Sequence, residues 1–183
     1  YPDVLDENVL YGEYLKFNTA HPEVKKILHE YVATTMNIVN KSNIVDSVCV
    51  ANEPCTYAYN TQYYKPMWYE YIKNIYGDIE NLNRICGTDY EKFEDVDMKS
   101  QSEFTVLYKN VMEFNADVLA YYLGTLCGYV KEFNPDMPTH AKLLPITLDY
   151  GRSALTKGEN YEKLAALFPD AVTETIDENG EVV

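Results

Sequence analysis

The chain has 183 residues, and its 29 aspartates and glutamates against 15 lysines and arginines give a formal net charge of −14. That acidity lacks the basic footprint of a nucleic-acid or anionic-membrane binder, no apolar run approaches the roughly 20 residues of a transmembrane helix, and Tyr1-Pro2-Asp3-Val4 does not open a signal peptide. Neutral or cationic ligands fit such a surface better, and the length suits one sizeable core.

Taken in chain order, residues 1–17 show no period and are expected as loop. Pro22 suits a first helical turn, and Val24, Ile27, Leu28, Tyr31 and Val32 at helical spacing predict a helix over 22–39. After the break at Asn40 to Asn43, the β-branched run Ile44 to Ala51 predicts a buried parallel strand ending at Asn52-Glu53-Pro54. Met67, Trp68, Tyr71, Ile72 and Ile75 predict a second helix closed by a left-handed Gly77, and Ile79, Leu82 and Ile85 a short third one stopped near Gly87. Ser100-Gln101-Ser102-Glu103 has capping-box spacing, and the apolar repeat from Phe104 to Val130 predicts a long helix reaching Phe133. Thr139 to Ile146 is expected as a second strand, 160–168 as a short helix and Ala171 to Ile176 as a third strand. Strands alternating with helices indicate βαβ units and a parallel sheet, an α/β fold.

In parallel α/β folds the working face lies at the carboxyl ends of the strands, and Glu53 stands at one. A strand end mounts a carboxyl rigidly. Partial burial beside a second carboxylate would keep it protonated for general acid work, and Pro54 is expected to hold Glu53 extended. Asn52 offers a donor and an acceptor to a sugar 2-hydroxyl. As a bare triplet, Asn-Glu-Pro also fits a polar turn.

Tyrosine is the unusual component, 18 of 183 residues. Tyr57, Tyr59, Tyr63 and Tyr64 follow Glu53 and would either stack on sugar rings or pack. His140 and Lys142 share one face of the second strand under period-two alternation, where Lys142 meets a substrate group or forms a structural salt bridge. Glu174, on the expected third strand, faces substrate or solvent. Trp68 belongs to an apolar stripe and reads as core; His21 reads as a capping or surface residue and His29 as a helix-face residue. Glu13, Glu70 and Glu103 read as ordinary surface charge. Cys49, Cys55, Cys86 and Cys127 contain no CxxC pair, so no metal site is expected, while disulfides stay open.

The motifs in order resemble a known family. Ile44 to Pro54, IVDSVCVANEP, resembles the fourth barrel strand of clan A glycoside hydrolases, whose Asn-Glu pair is the hydrogen-bonding partner and the acid/base. Met67 to Thr88 looks like the following segment of family 42 β-galactosidases: a helix ending in Tyr76-Gly77, then an acidic residue, Leu82-Asn83, and Cys86-Gly87-Thr88 where the family writes Trp-Gly-Thr. Phe17 to Val24 is similar to the family's approach to the preceding helix, Asn134-Pro135 through Lys142 to its passage into the fifth strand, and Tyr161 to Asp177 to its sixth. The resemblance covers about residues 17–177 and departs from the pattern at Cys86 and in a cysteine cluster reduced to Cys55, so a zinc carried by some relatives is not expected.

The resemblance implies a (β/α)8 TIM barrel of which residues 1–183 form the central part, about strands four to six, since a whole barrel needs about 250 residues. It implies a retaining hydrolase of β-linked sugars, β-galactosides first, with an oligosaccharide or glycoside as partner and no cofactor. Glu53 would be its acid/base, and its nucleophile, on the seventh strand, would lie outside this chain. The competing expectation is a non-catalytic carbohydrate-binding or scaffold module derived from such a barrel. Oligomeric state and cellular location are not written in the sequence.

Overall fold

The computed structural model describes residues 5–11, 14–17, 19–42, 44–56, 62–102, 104–143, 158 and 160–168. In chain order these form strands β1 (Leu5–Tyr11) and β2 (Tyr14–Phe17), helix α1 (Pro22–Val39), strand β3 (Val48–Asn52), helices α2 (Lys65–Tyr76), α3 (Ile79–Cys86) and α4 (Val106–Phe133), strand β4 (Thr139–Lys142) and helix α5 (Tyr161–Ala165). The expected third strand at 171–176 lies outside the described residues, as do residues 144–146 of the expected second one.

The amino-terminal stretch corrects the sequence reading. β1 and β2 pair antiparallel with Tyr11 opposite Tyr14, so Leu5–Tyr11 and Tyr14–Phe17 are strands where a loop was expected. The absence of an alternating apolar pattern in Leu5-Asp6-Glu7-Asn8 hid them.

The helices follow their predicted bounds closely. His21 caps α1, its Nδ1 accepting from the Glu23 amide at 3.1 Å, with Pro22 in the first turn. α3 is capped by Asp78, whose Oδ1 accepts from the Asn81 amide at 2.8 Å, and ends on Gly87 in the left-handed region (φ 69, ψ 38). Gly77 closes α2 with a positive φ of 81 but ψ of −61, outside the left-handed helical well expected for it. α4 begins later than its expected capping box. Thr105 is the cap, its Oγ1 accepting from the Tyr108 amide at 3.1 Å, because Phe104 at φ 70 breaks the chain just before it. Ser100 is spent on a turn, its hydroxyl donating to the Asp97 carbonyl at 3.0 Å.

α4 is the spine. Thirteen of its 28 residues are buried, more than a one-sided stripe supplies, because three groups of residues pack around it. Leu107, Val111, Phe114 and Val118 meet Trp68, Ile72 and Leu82 of α2 and α3; Leu119, Leu123 and Cys127 meet Leu164 and Phe168, with Val50 and Ala51 of β3 alongside; Val130 meets Met36 of α1 and Met137. α1 and α4 run in the same direction, since Lys25 meets Tyr121, His29 meets Glu132 and Asn40 meets the Phe133 carbonyl. β3 and β4 are likewise parallel. β3, α4 and β4 therefore make a βαβ unit, the arrangement that strand–helix alternation predicts.

The segment shared with the family motif has a structural explanation. The Asn83 side chain donates to the Tyr90 carbonyl at 2.8 Å and its Oδ1 accepts from the Tyr90 amide at 3.0 Å and the Thr88 hydroxyl at 2.8 Å. With Leu82 buried and Gly87 turning the chain, Leu-Asn and Gly-Thr clamp the loop after α3. Asn83→Ala is expected to cost about 2 kcal/mol by stranding these partly buried partners, read as a lower urea midpoint with unchanged slope; a loss under about 0.5 kcal/mol would contradict the clamp.

Two tyrosines of the first cluster tie stability to alkaline pH. Burial pushes the Tyr64 hydroxyl up to about 12, against the lowering pull of its hydrogen bond to Thr19. Burial, followed by the Glu113 carboxylate, pushes Tyr71 to about 12 as well. A raised folded-state value means that the fold holds the proton more tightly than the unfolded chain does. The stabilisation is thus complete below pH 10 and fades as pH rises towards 12. Urea midpoints should fall across that window, and less steeply in Tyr64→Phe; a flat profile would contradict the assignment.

Candidate active site

β3 is shorter than the sequence predicted. Ile44 is 83% exposed and the ladder starts only at Val48, whose amide donates to the Pro138 carbonyl at 2.9 Å. The β-branched run from Ile44 to Ser47 has no strand beside it among the described residues, since β4 offers four residues. Propensity without a partner did not extend the strand.

The register carries the local chemistry. Cys49 lies opposite His140, Ala51 opposite Ala141 and Asn52 opposite Lys142, so β3 takes two steps between Cys49 and Ala51 where β4 takes one. Such a bulge re-aims the side chains beyond it. Val48, Val50 and Ala51 pack against the helical core, whereas unbroken alternation would have sent Asn52 with Val48 and Val50. Asn52 is instead exposed, together with Cys49.

Glu53 follows at the carboxyl end of β3. Its amide keeps a ladder bond to the Lys142 carbonyl at 2.7 Å, and its φ of 51 lies in the left-handed region. This overturns the expectation that Pro54 holds it extended: the chain must leave the sheet edge immediately after that last bond, and the turn falls on Glu53 itself. A non-glycine residue there costs on the order of 1–3 kcal/mol, a strain that tends to collect at functional positions. Downstream, Thr56 is buried against Gly158, at φ 83, where a Cβ would lie 2.7 Å from the Asn115 carbonyl oxygen of α4. The loop leaving Glu53 is thereby seated on the spine.

Lys142 Nζ lies 3.7 Å from Glu53 Oε1, with 63% and 39% of the two side chains exposed. The neighbour of Glu53 among the described residues is thus an ammonium, where a second carboxylate was expected. An exposed pair of this kind contributes under about 1 kcal/mol to stability, so its interest is positional: it holds the carboxyl over the strand ends. Lys142 takes the salt-bridge alternative of its sequence reading. His140 is half-buried two residues earlier, opposite Cys49 and not Asn52.

The other candidates divide. Tyr57, Tyr59 and Glu174 lie outside the described residues. Tyr64 is buried in the first core cluster, and Tyr63 stands edge-on to His21 at 4.9 Å; both line a cavity between α1 and α4 whose walls contain no residue of β3 or β4. His21 is a buried cap, His29 meets Glu132 at 2.7 Å, and Trp68 is fully buried with Nε1 donating to the Val96 carbonyl at 2.8 Å. Among the described residues no three His, Cys, Asp or Glu side chains gather as a metal site, all four cysteines are free thiols, and no helix is long and apolar enough to cross a membrane.

Solved structures share this arrangement. An apo exo-carrageenase of family GH42 from Bacteroides ovatus superposes with a TM-score of 0.65 and 21% identity over 83% of this chain and 22% of its own. A β-galactosidase from Bacillus circulans sp. alkalophilus gives 0.65 and 17% over 79% of this chain and 24% of its own. One from the psychrophilic Marinomonas ef1 gives 0.57 and 13% over 75% and 24%. The fold is that of a stretch of a GH42 glycosidase. This GH42-like chain spans less than a quarter of the length of each of those proteins. No family model matches it, and no curated protein does. The GH42-like resemblance read from motif order therefore holds at the level of fold.

Proposed function

We propose that the chain is the central part of a (β/α)8 barrel, about its fourth to sixth strands, in a retaining glycoside hydrolase acting on β-linked sugars, β-galactosides first. Glu53 is the general acid/base, Asn52 holds the sugar 2-hydroxyl, and the nucleophile comes from a strand beyond these residues. The observation that carries this reading is a carboxyl at the carboxyl end of a parallel strand, aligned by a bulge with an exposed asparagine, in a GH42-like fold.

Surface chemistry supports the idea of a larger barrel. Ile27, Tyr31 and Ile38 repeat along one side of α1 at 38%, 69% and 69% exposure, a stripe suited to a neighbouring helix. Among the described residues β3 pairs with β4 alone, which leaves a second edge for a further parallel strand.

In the retaining mechanism the two carboxyls sit about 5–5.5 Å apart, and the nucleophile attacks the anomeric carbon while the acid/base protonates the departing oxygen. Glu53 then takes a proton from the water that releases the sugar. The Lys142 ammonium steadies the carboxylate left after the first step and offers donors to a hydroxyl. Tyr57, Tyr59, His140 and Glu174 are assigned to sugar contacts around it.

Hydrolysis of an aryl β-galactoside by the complete protein, with product first released in the β configuration by proton NMR, is the expected result. The 183 residues alone should show no turnover, because half of the carboxylate pair is missing. Turnover by the short chain would contradict the placement of the nucleophile. Galactoside binding without turnover by the complete protein would make the segment a non-catalytic sugar-binding module.

A further inference from the structure

A cavity between α1 and α4 is walled by aromatic side chains. It measures about 130 Å³, and Tyr63, Tyr64, Tyr121, Tyr122 and Tyr129 line it together with Lys25. We propose that it is a binding site for a single hexopyranose ring, independent of Glu53.

Aromatic faces and hydroxyls stand side by side in its wall. Tyr121 is 56% exposed; Lys25 Nζ lies 4.9 Å from its ring centroid and donates to its hydroxyl at 3.1 Å. A pyranose presents the matching surface, a C–H face flanked by equatorial hydroxyls. The Tyr122 hydroxyl has no hydrogen-bond partner among the described residues, although burial raises its proton affinity and keeps it a neutral donor. A half-buried hydroxyl left without a partner is unfavourable, and a sugar hydroxyl would satisfy it.

Charge and size narrow the ligand. Among the described residues Lys25 is the one ionic residue of the lining and no carboxylate lines it, so a cation is disfavoured, and the lysine already engages Tyr121. The volume is below the roughly 300–1,000 Å³ of clefts for drug-sized ligands, which admits one ring and not an oligosaccharide. None of Asn52, Glu53, His140 or Lys142 lines it.

Titration of the 183-residue chain with galactose and with glucose, followed by amide shifts in 1H–15N spectra, should show saturable millimolar binding that perturbs α1 and α4. Tyr121→Ala should weaken it about 2- to 10-fold and Lys25→Met should weaken it too, both with unchanged circular dichroism, while Glu53→Gln leaves it intact. p-Cresol and inorganic phosphate serve as competing probes. No saturable sugar binding, preferential binding of either probe, or sugar binding insensitive to Tyr121→Ala would each overturn the proposal. Sugar binding abolished by Glu53→Gln would overturn it as well, by placing the ligand at the strand ends. Since the catalytic reading is tested by turnover of the complete protein, either idea can fail alone.

Discussion

Glu53→Gln in the complete protein is expected to lower kcat/KM for a β-linked disaccharide by about 10²- to 10⁴-fold, the range that a positioned general acid contributes. The amide keeps the shape and cannot give a proton to the departing sugar oxygen. Stability should barely change, since the Glu53 side chain is 39% exposed and its ion pair with Lys142 is long and solvated. That separation makes the variant informative. A rate loss with an unaltered melting temperature places the defect in chemistry; an unaltered rate with the disaccharide and with an activated aryl glycoside alike would remove Glu53 from the mechanism.

Trp68→Ala should be the most damaging single change to the fold, costing about 3–5 kcal/mol. Trp68 is fully buried, stacks on Tyr71 at 5.9 Å and 21°, meets Phe114 edge-on at 5.5 Å, and donates its indole N–H to the Val96 carbonyl. Alanine leaves a cavity and a stranded acceptor at once. Against a total stability of about 5–15 kcal/mol, such a loss unfolds a sizeable fraction of a marginal domain. Trp68→Phe should fall between, losing the hydrogen bond and part of the volume. Urea midpoints check the order; a loss under about 1 kcal/mol for alanine would mean that α2 does not lean on α4 as described.

Much of this was legible in the sequence for identifiable reasons. α1, α2 and α3 announced themselves because each buries one face, so apolar residues recur at three and four, and because Pro22, Gly77 and Gly87 mark their ends chemically. α4, packed by three groups of residues, still carries that repeat along its length. β1 and β2 were not legible, their pattern lacking alternation. The bulge in β3 was equally hidden: Val48-Cys49-Val50-Ala51 reads as a uniform strand, and only pairing with β4 shows the extra residue that turns Asn52 outward. Glu53 was found from its place after a strand, yet its left-handed φ and its cationic neighbour depend on the register with Lys142. For the tyrosines after Glu53 the sequence left stacking on sugar and packing open, and only the tertiary structure sets Tyr63 and Tyr64 in the wall between α1 and α4.

The central claim is proton donation from Glu53 to the departing oxygen, and the dependence of rate on the leaving group tests it most directly. Across aryl β-galactosides whose phenols span a wide range of acidity, log kcat/KM for the wild-type complete protein should depend weakly on phenol pKa. For Glu53→Gln it should fall steeply as the phenol becomes a poorer leaving group, converging with wild type for the most acidic phenols. Parallel lines of equal slope for the two proteins would contradict the assignment, because the carboxyl would then take no part in protonating the bond that breaks.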